Sequence, residues 1–131
     1  MTGPILLDTH ALIWWATGDE RLPAWCRARI AAGVGDVHVS AATAWEIRTK
    51  FRLGKLPGLD PAFVLQLDRV LVTENLRPLE ITFADGDRAG AFAAPHKDPF
   101  DRMLAAQALN HRLALVSNDT ALDAFGIVRV W

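Results

Sequence analysis

Residues 5–12, ILLDTHAL, decide the fold, because a short apolar run passes through one acid, Asp8, directly into a helical pattern. Similar junctions follow residues 37–39 and 114–116, two further short runs that have the character of strands. Short apolar strands that alternate with helices are typical of a parallel sheet covered on both faces. The sequence therefore predicts the α/β class, with a central parallel sheet between helices.

Helical spacing and turn residues predict the remaining elements. Helices are expected from residue 9 to a stop at Gly18 and then over 23–33, 41–53, 61–75, 98–111 and 118–125. Two more strands are expected within 76–81 and 127–130, and no element is predicted between 82 and 97.

Length and composition limit the class of protein. The chain has 131 residues, of which 51% are hydrophobic and 22% charged, so we expect one folded domain over 1–131. The net charge of -1 argues against a surface that binds polyanions everywhere. A single cysteine, Cys26, excludes an intramolecular disulfide and fits a reducing compartment. No apolar run approaches the roughly 20 residues of a membrane span, so a cytoplasmic location without membrane contact is expected.

Acidic residues gather where the predicted strands give way to helices. In an open parallel sheet, ligands bind beyond the carboxyl ends of the strands. The acids in such positions are Asp8, Glu46, Asp98, Asp101 and Asp119.

Each of these acids, taken singly, also has a purely structural interpretation. Asp8 and Asp119 are suited to cap helices, and Asp98 is suited to do so with Pro99 behind it. Asp101 would complement a helix dipole, and Glu46 would pair with a lysine one turn later.

Taken together, several carboxylates at one edge of a sheet repel one another unless cations or protons compensate them. Hard oxygen ligands select Mg²⁺ or Mn²⁺, and such a site activates water for attack on a phosphodiester. Spacing alone leaves the nuclease and the structural interpretations both open.

Four stretches of sequence carry a resemblance that covers most of the chain. They are residues 6–15 (LLDTHALIWW), 40–47 (SAATAWEI), 96–108 (HKDPFDRMLAAQA) and 115–119 (LVSND). The chain resembles the PIN domain family, and within it the VapC-like toxins of bacterial toxin–antitoxin pairs. The DPFDR block is the most specific part of the resemblance.

The resemblance implies a three-layer α/β/α fold and a Mg²⁺- or Mn²⁺-dependent endoribonuclease. The acidic quartet that holds the metal and activates water would be Asp8, Glu46, Asp101 and Asp119. Asp98 would either assist or only cap its helix. Thr9 and Ser117 match hydroxyl positions near the metal.

The resemblance also implies partners. These are a cognate VapB-like antitoxin that neutralises the toxin, an RNA substrate and a second copy of the chain in a homodimer. Operator DNA would be contacted only through the antitoxin.

A non-catalytic PIN-fold module that acts through its protein partner is the alternative, and a DNA-directed nuclease also stays open. A phosphatase of the haloacid dehalogenase type is disfavoured, because His10 stands where its second aspartate would be.

Basic and aromatic residues beside the acids have two interpretations. Arg48, Lys50, Arg52 and Lys55 would either follow an RNA backbone or form an ordinary solvated face. We expect a surface or capping role for His10 and His96.

Overall fold

The computed structural model describes residues 3–33 and 35–131. Its strands are β1 (Ile5–Leu7), β2 (Val37–Ser40), β3 (Arg77–Leu79), β4 (Ala114–Val116) and β5 (Arg129–Val130). All pair in parallel, in the spatial order β3-β2-β1-β4-β5. The predicted α/β class with a central parallel sheet is confirmed.

Helices connect the strands. They are α1 (Thr9–Thr17), α2 (Ala24–Ala32), α3 (Ala41–Arg52), α4 (Pro61–Leu65), α5 (Leu67–Thr73), α6 (Phe83–Ala91), α7 (Pro99–Asn110) and a 3-10 helix, Thr120–Phe125. Gly18 ends α1 at the predicted place, with a φ of 70° that a residue without Cβ adopts freely. None of the helices in the described residues has the length and apolarity needed to cross a membrane.

The sheet has a hydrophobic core on each face. Ile5 and Leu7 point to one side, where they pack with residues of α1, α2 and α3. Leu6, between them, points to the other side and joins Leu104 of α7 and Phe125 of the 3-10 helix. This alternation along β1 follows from the period of two in a strand, and it produces the three layers.

The predicted helix over 61–75 is two helices instead of one. Gln66 leaves helical geometry, with φ −129° and ψ 37°. The break lets Val64 of α4 and Leu71 of α5 pack against the same core. The apolar spacing of this segment does not reveal the break, because both halves keep a helical period.

Helix α6 lies where no element was predicted. A capping box begins it: Thr82 Oγ1 accepts from the Asp85 N–H at 3.1 Å, and Asp85 Oδ2 accepts from the Thr82 N–H at 2.9 Å. A Thr and an acid three residues apart are the sequence signal of this box. The signal was present at residues 82–85 and was missed.

Asp85 also ties α6 to the end of α7. Its carboxylate is fully buried and accepts from Asn110 Nδ2 at 2.9 Å and from His111 Nε2 at 3.1 Å. Burial acts to raise the pKa of Asp85, but the hydrogen bonds from Thr82, Asn110 and His111 outweigh it and hold the pKa below its ordinary value.

We expect Asp85→Asn to lower the free energy of unfolding by about 2 kcal/mol at neutral pH, because the amide leaves buried donors without a charged acceptor. A depressed pKa stabilises the fold above the unfolded value, about 3.9, and that contribution is lost as the pH falls through the folded pKa. Urea unfolding at pH 7 and pH 3 should therefore show the difference between variant and wild type shrinking in acid. Asp87→Asn, an exposed acid on the same helix, is the control and should match wild type; equal loss in both variants would contradict the role of Asp85.

Candidate metal centre

The carboxyl ends of β1 and β4 meet at the middle of the sheet, where the strand order reverses. Asp8 directly follows β1 and Ser117 directly follows β4. The Asp8 N–H donates to the Val116 carbonyl at 3.1 Å, so the ladder continues one residue beyond β1. Such a reversal point leaves a crevice between the departing chains, and ligands bind there in open α/β sheets.

A cavity of about 160 Å³ occupies this crevice. We call it the acidic cavity, and its lining residues are Asp8, Thr9, His10, Glu46, Lys50, Asp98, Asp101, Ser117, Asn118 and Asp119. All seven residues that the sequence singled out for the site therefore lie together. They come from four parts of the chain, following β1, within α3, at the start of α7 and following β4.

Asp8 is held firmly and is nearly buried. It caps α1, with Oδ1 accepting from the Ala11 N–H at 2.7 Å. Burial raises the pKa of Asp8 above its ordinary value, and it outweighs the hydrogen bonds from Ser117 and from the Ala11 N–H. The carboxylate therefore lacks enough positive charge around it to compensate its own.

Glu46 reaches the acidic cavity from the second turn of α3. Thr9 Oγ1 donates to Glu46 Oε1 at 2.5 Å, and the Lys50 ammonium forms an ion pair with Oε2. The pair with Lys50 is the i,i+4 pair expected from the spacing, but it is not an exposed one, since Glu46 is only 5% exposed. Burial alone would lower the pKa of Lys50, and the carboxylate of Glu46, aided by Asp98 and Asp101, reverses this and raises it.

Asp98 and Asp101 occupy the first turn of α7. Asp98 caps the helix, with Oδ1 accepting from the N–H groups of Phe100 and Asp101 at 2.9 and 3.2 Å, and Pro99 follows it. The predicted cap is confirmed. Burial, with further contributions from Asp98 and Glu46, raises the pKa of Asp101.

Asp119 stands at the exposed rim. It caps the 3-10 helix by accepting from the Ala121 N–H at 3.0 Å, and its own N–H donates to Ser117 Oγ at 3.1 Å. The Ser117 hydroxyl therefore accepts from the backbone of Asp119, and it also acts to lower the pKa of Asp8.

His96 lies close to two of these acids, and the sequence did not predict this. Its Nε2 lies 2.9 Å from Asp101 Oδ2, and ligand atoms of His96, Asp101 and Asp119 all lie within 4.8 Å of one another. Asp8 and Glu46 line the acidic cavity but do not belong to this close group. The sequence predicts a surface or capping role for His96, and the structure places its imidazole half-buried, beside Asp101 and the ring of Phe125.

The donor set fits a hard divalent cation. Five carboxylates and two hydroxyls line the acidic cavity, and Lys50 is the single Lys or Arg among its described lining residues. Oxygen ligands with excess negative charge suit Mg²⁺ or Mn²⁺, and the imidazole of His96 is also compatible with Mn²⁺. A cation would favour the charged form of Asp101, whose pKa is raised by burial and, to a smaller extent, by Asp98 and Glu46.

Comparison with known families agrees with this architecture. The model of the PIN domain family matches residues 5–128. The chain belongs to the PIN domain family. No curated protein matches the sequence significantly.

Solved structures share the fold over almost the whole chain. The DNA-bound VapBC from Salmonella typhimurium is 20% identical, with a TM-score of 0.71, and the match covers 99% of this chain and 98% of that chain. VapBC2 from Rickettsia felis, bound to a DNA fragment from its promoter, is 12% identical, with a TM-score of 0.68 and 96% coverage of both chains. A toxin–antitoxin complex from Klebsiella pneumoniae is 19% identical, with a TM-score of 0.61 and coverage of 88% and 87%.

Arg102 organises the segment of this PIN domain that carries His96. Its guanidinium donates to the carbonyls of Ala89, Phe92, Ala94 and His96 at 2.7–2.9 Å. A planar guanidinium has five donors spread over three nitrogens and can reach four separated carbonyls, whereas a lysine ammonium has three donors on one nitrogen. The arginine of the DPFDR block therefore holds the loop between α6 and α7 in place. The sequence pattern alone predicts no role for Arg102.

We expect Arg102→Lys to loosen that loop and to lower the free energy of unfolding by about 3 kcal/mol, because carbonyls lose charged donors. Hydrogen exchange should accelerate in residues 89–97 ahead of the rest of the chain. Arg52→Lys, an exposed arginine on α3, is the control. If residues 89–97 exchange no faster in Arg102→Lys than in Arg52→Lys, Arg102 does not fix the loop.

Proposed function

We propose that this PIN domain is a divalent-metal-dependent endoribonuclease and the toxin of a toxin–antitoxin pair. The observation that carries the proposal is the acidic cavity, into which separate parts of the chain bring five carboxylates. Like charges held close together cost free energy, and neither a cap nor a salt bridge needs five carboxylates in one place. A cation-dependent reaction on an anionic substrate explains the arrangement.

The proposed metal ligands are the quartet Asp8, Glu46, Asp101 and Asp119. When bound, Mg²⁺ or Mn²⁺ supplies Lewis-acid polarisation of a phosphate and activation of water. The chain itself orients two of the ligands: Thr9 donates to Glu46, and the Ala11 N–H donates to Asp8. His96 Nε2 is hydrogen-bonded to Asp101 Oδ2.

The solved structures that share this fold support an antitoxin partner. The similar solved structures include VapBC complexes and a toxin–antitoxin complex, two of the three with DNA. An unbalanced acidic cavity is also a natural target for a basic side chain of a partner. With a net charge of -1, this chain is poorly suited to bind DNA alone, so we place any operator contact on the antitoxin. A toxin that cuts RNA would act in the cytoplasm, and self-association stays a prediction.

We expect Asp8→Asn and Asp101→Asn each to reduce RNA cleavage at least about 100-fold, because a metal site contributes several kcal/mol to the transition state. Asn caps a helix as well as Asp does, so Asp8→Asn removes charge and keeps α1. The assay incubates the purified, antitoxin-free chain with total cellular RNA in Mn²⁺, Mg²⁺ or EDTA and maps new ends by sequencing.

Asp87→Asn, on the exposed side of α6, is the charge-matched control and should cleave like wild type. Discrete ends that need both the metal and Asp8 would support the ribonuclease. Folded wild-type protein that binds Mn²⁺ and yields no new ends would overturn it and favour the non-catalytic binding module.

Asp98 can be assigned by comparing two substitutions. If Asp98 only caps α7, Asp98→Asn should cleave within about threefold of wild type, whereas Asp98→Ala should lower the unfolding free energy by about 1 kcal/mol. If Asp98 helps to hold the cation, Asp98→Asn should lose cleavage and weaken Mn²⁺ binding measured by calorimetry. The amide preserves the cap, so this pair of variants separates the two roles.

A further inference from the structure

The acidic cavity continues into a longer depression along the surface. A cavity of about 250 Å³, here the middle cavity, shares four lining residues with it: Thr9, His10, Glu46 and Lys50. A larger groove of about 640 Å³, here the outer groove, shares four with the middle cavity: His10, Ile13, Lys55 and Leu56. The shared residues make a continuous path from the acids outward.

Lys50 stands where the acidic and middle cavities join. It lines both of them, and its ammonium touches Glu46 at the boundary. Its side chain is 31% exposed, so it is open to the path. Lys55 lines the middle cavity and the outer groove, which places a second ammonium further along the same path.

A polyanionic strand faces an electrostatic barrier at this site. The acidic cavity carries five carboxylates and one ammonium, and a phosphate approaching it would be repelled. A divalent cation offsets part of this charge, but neighbouring phosphates need cations of the chain. Of the residues described there, Lys50 is the cation nearest to the carboxylates, and it stands on the side from which the path arrives.

The contacts of Glu46 show how Lys50 becomes available. Thr9 binds Glu46 Oε1, and Lys50 binds Oε2. If Oε2 takes a cation as a ligand, Thr9 still holds the carboxylate in place, and the ammonium is free to meet another anion. An ion pair whose only task was to stabilise α3 would not need to project into two cavities.

We propose that Lys50 is a phosphate-binding residue of this PIN domain, whose ammonium contacts the backbone of the RNA strand where the acidic and middle cavities join. The proposal rests on the ribonuclease function proposed above. It assigns one substrate contact to one side chain and separates Lys50 from the exposed arginines of the same helix, Arg48 and Arg52.

The test measures RNA binding apart from cleavage. A fluorescent single-stranded RNA of mixed sequence is titrated with the chain in Ca²⁺, a hard cation for the same oxygen ligands, over a series of salt concentrations, and a gel checks that the RNA stays intact. Loss of one phosphate contact should flatten the slope of log K against log salt by about 0.7, which is about fivefold in affinity at 0.1 M salt. We expect this change in Lys50→Gln, its absence in Lys50→Arg, and wild-type behaviour in Arg48→Gln.

A second measurement tests whether Lys50 acts only by positioning Glu46. Mn²⁺ affinity, measured by calorimetry, should be equal or higher in Lys50→Gln, because a competitor of the cation for Glu46 has been removed. Weaker Mn²⁺ binding with an unchanged RNA salt slope would make Lys50 a positioning group for Glu46 and would overturn the proposal. An equal loss of RNA binding in Arg48→Gln would also overturn it, since the whole helix would then attract RNA.

Failure of the proposal and failure of the proposed function give different results. If wild type cleaves RNA and Lys50→Gln binds RNA as Arg48→Gln does, the role proposed for Lys50 is wrong and the proposed function stands. If wild type neither binds nor cleaves RNA, both are wrong.

Discussion

The parallel pairing of β1 with β4 is the constraint on which the site depends. It sets Asp8 beside Ser117, and the bond from the Asp8 N–H to Val116 extends the ladder to the acid itself. Because the strand order reverses here, the chain leaves a crevice that the neighbouring helices line with carboxylates. The sheet thus brings together like charges that the chain by itself would keep apart.

Two kinds of buried aspartate show what distinguishes a structural acid from a candidate ligand. Asp85 accepts from Thr82, Asn110 and His111, and its pKa lies below the ordinary value. Asp8 is also buried and hydrogen-bonded, yet its pKa is raised. Asp85 is fully satisfied by the protein, whereas Asp8 lacks a compensating charge, which is the condition that a cation would relieve.

Helix capping and the neighbouring cationic side chains fix the geometry of the centre. Asp8, Asp98 and Asp119 each begin a helix, so the backbone fixes their side chains before any ligand arrives. Arg102 holds the loop that carries His96, and Lys50 lines the acidic cavity. Preorganised groups of this kind lose less free energy when they bind than mobile ones would.

The sequence by itself determined the strands at 5–7 and 114–116, the parallel α/β class and the caps at Asp8 and Asp98, because apolar period and capping are local properties. It also carried a readable signal for α6, which was overlooked. The break at Gln66 and the burial of Glu46 depend on packing between distant segments, and no local pattern encodes them. Only the tertiary structure decided that His96 meets Asp101, that Arg102 gathers the carbonyls of a loop, and that Lys50 faces two cavities, because each contact forms through the folded path of the chain.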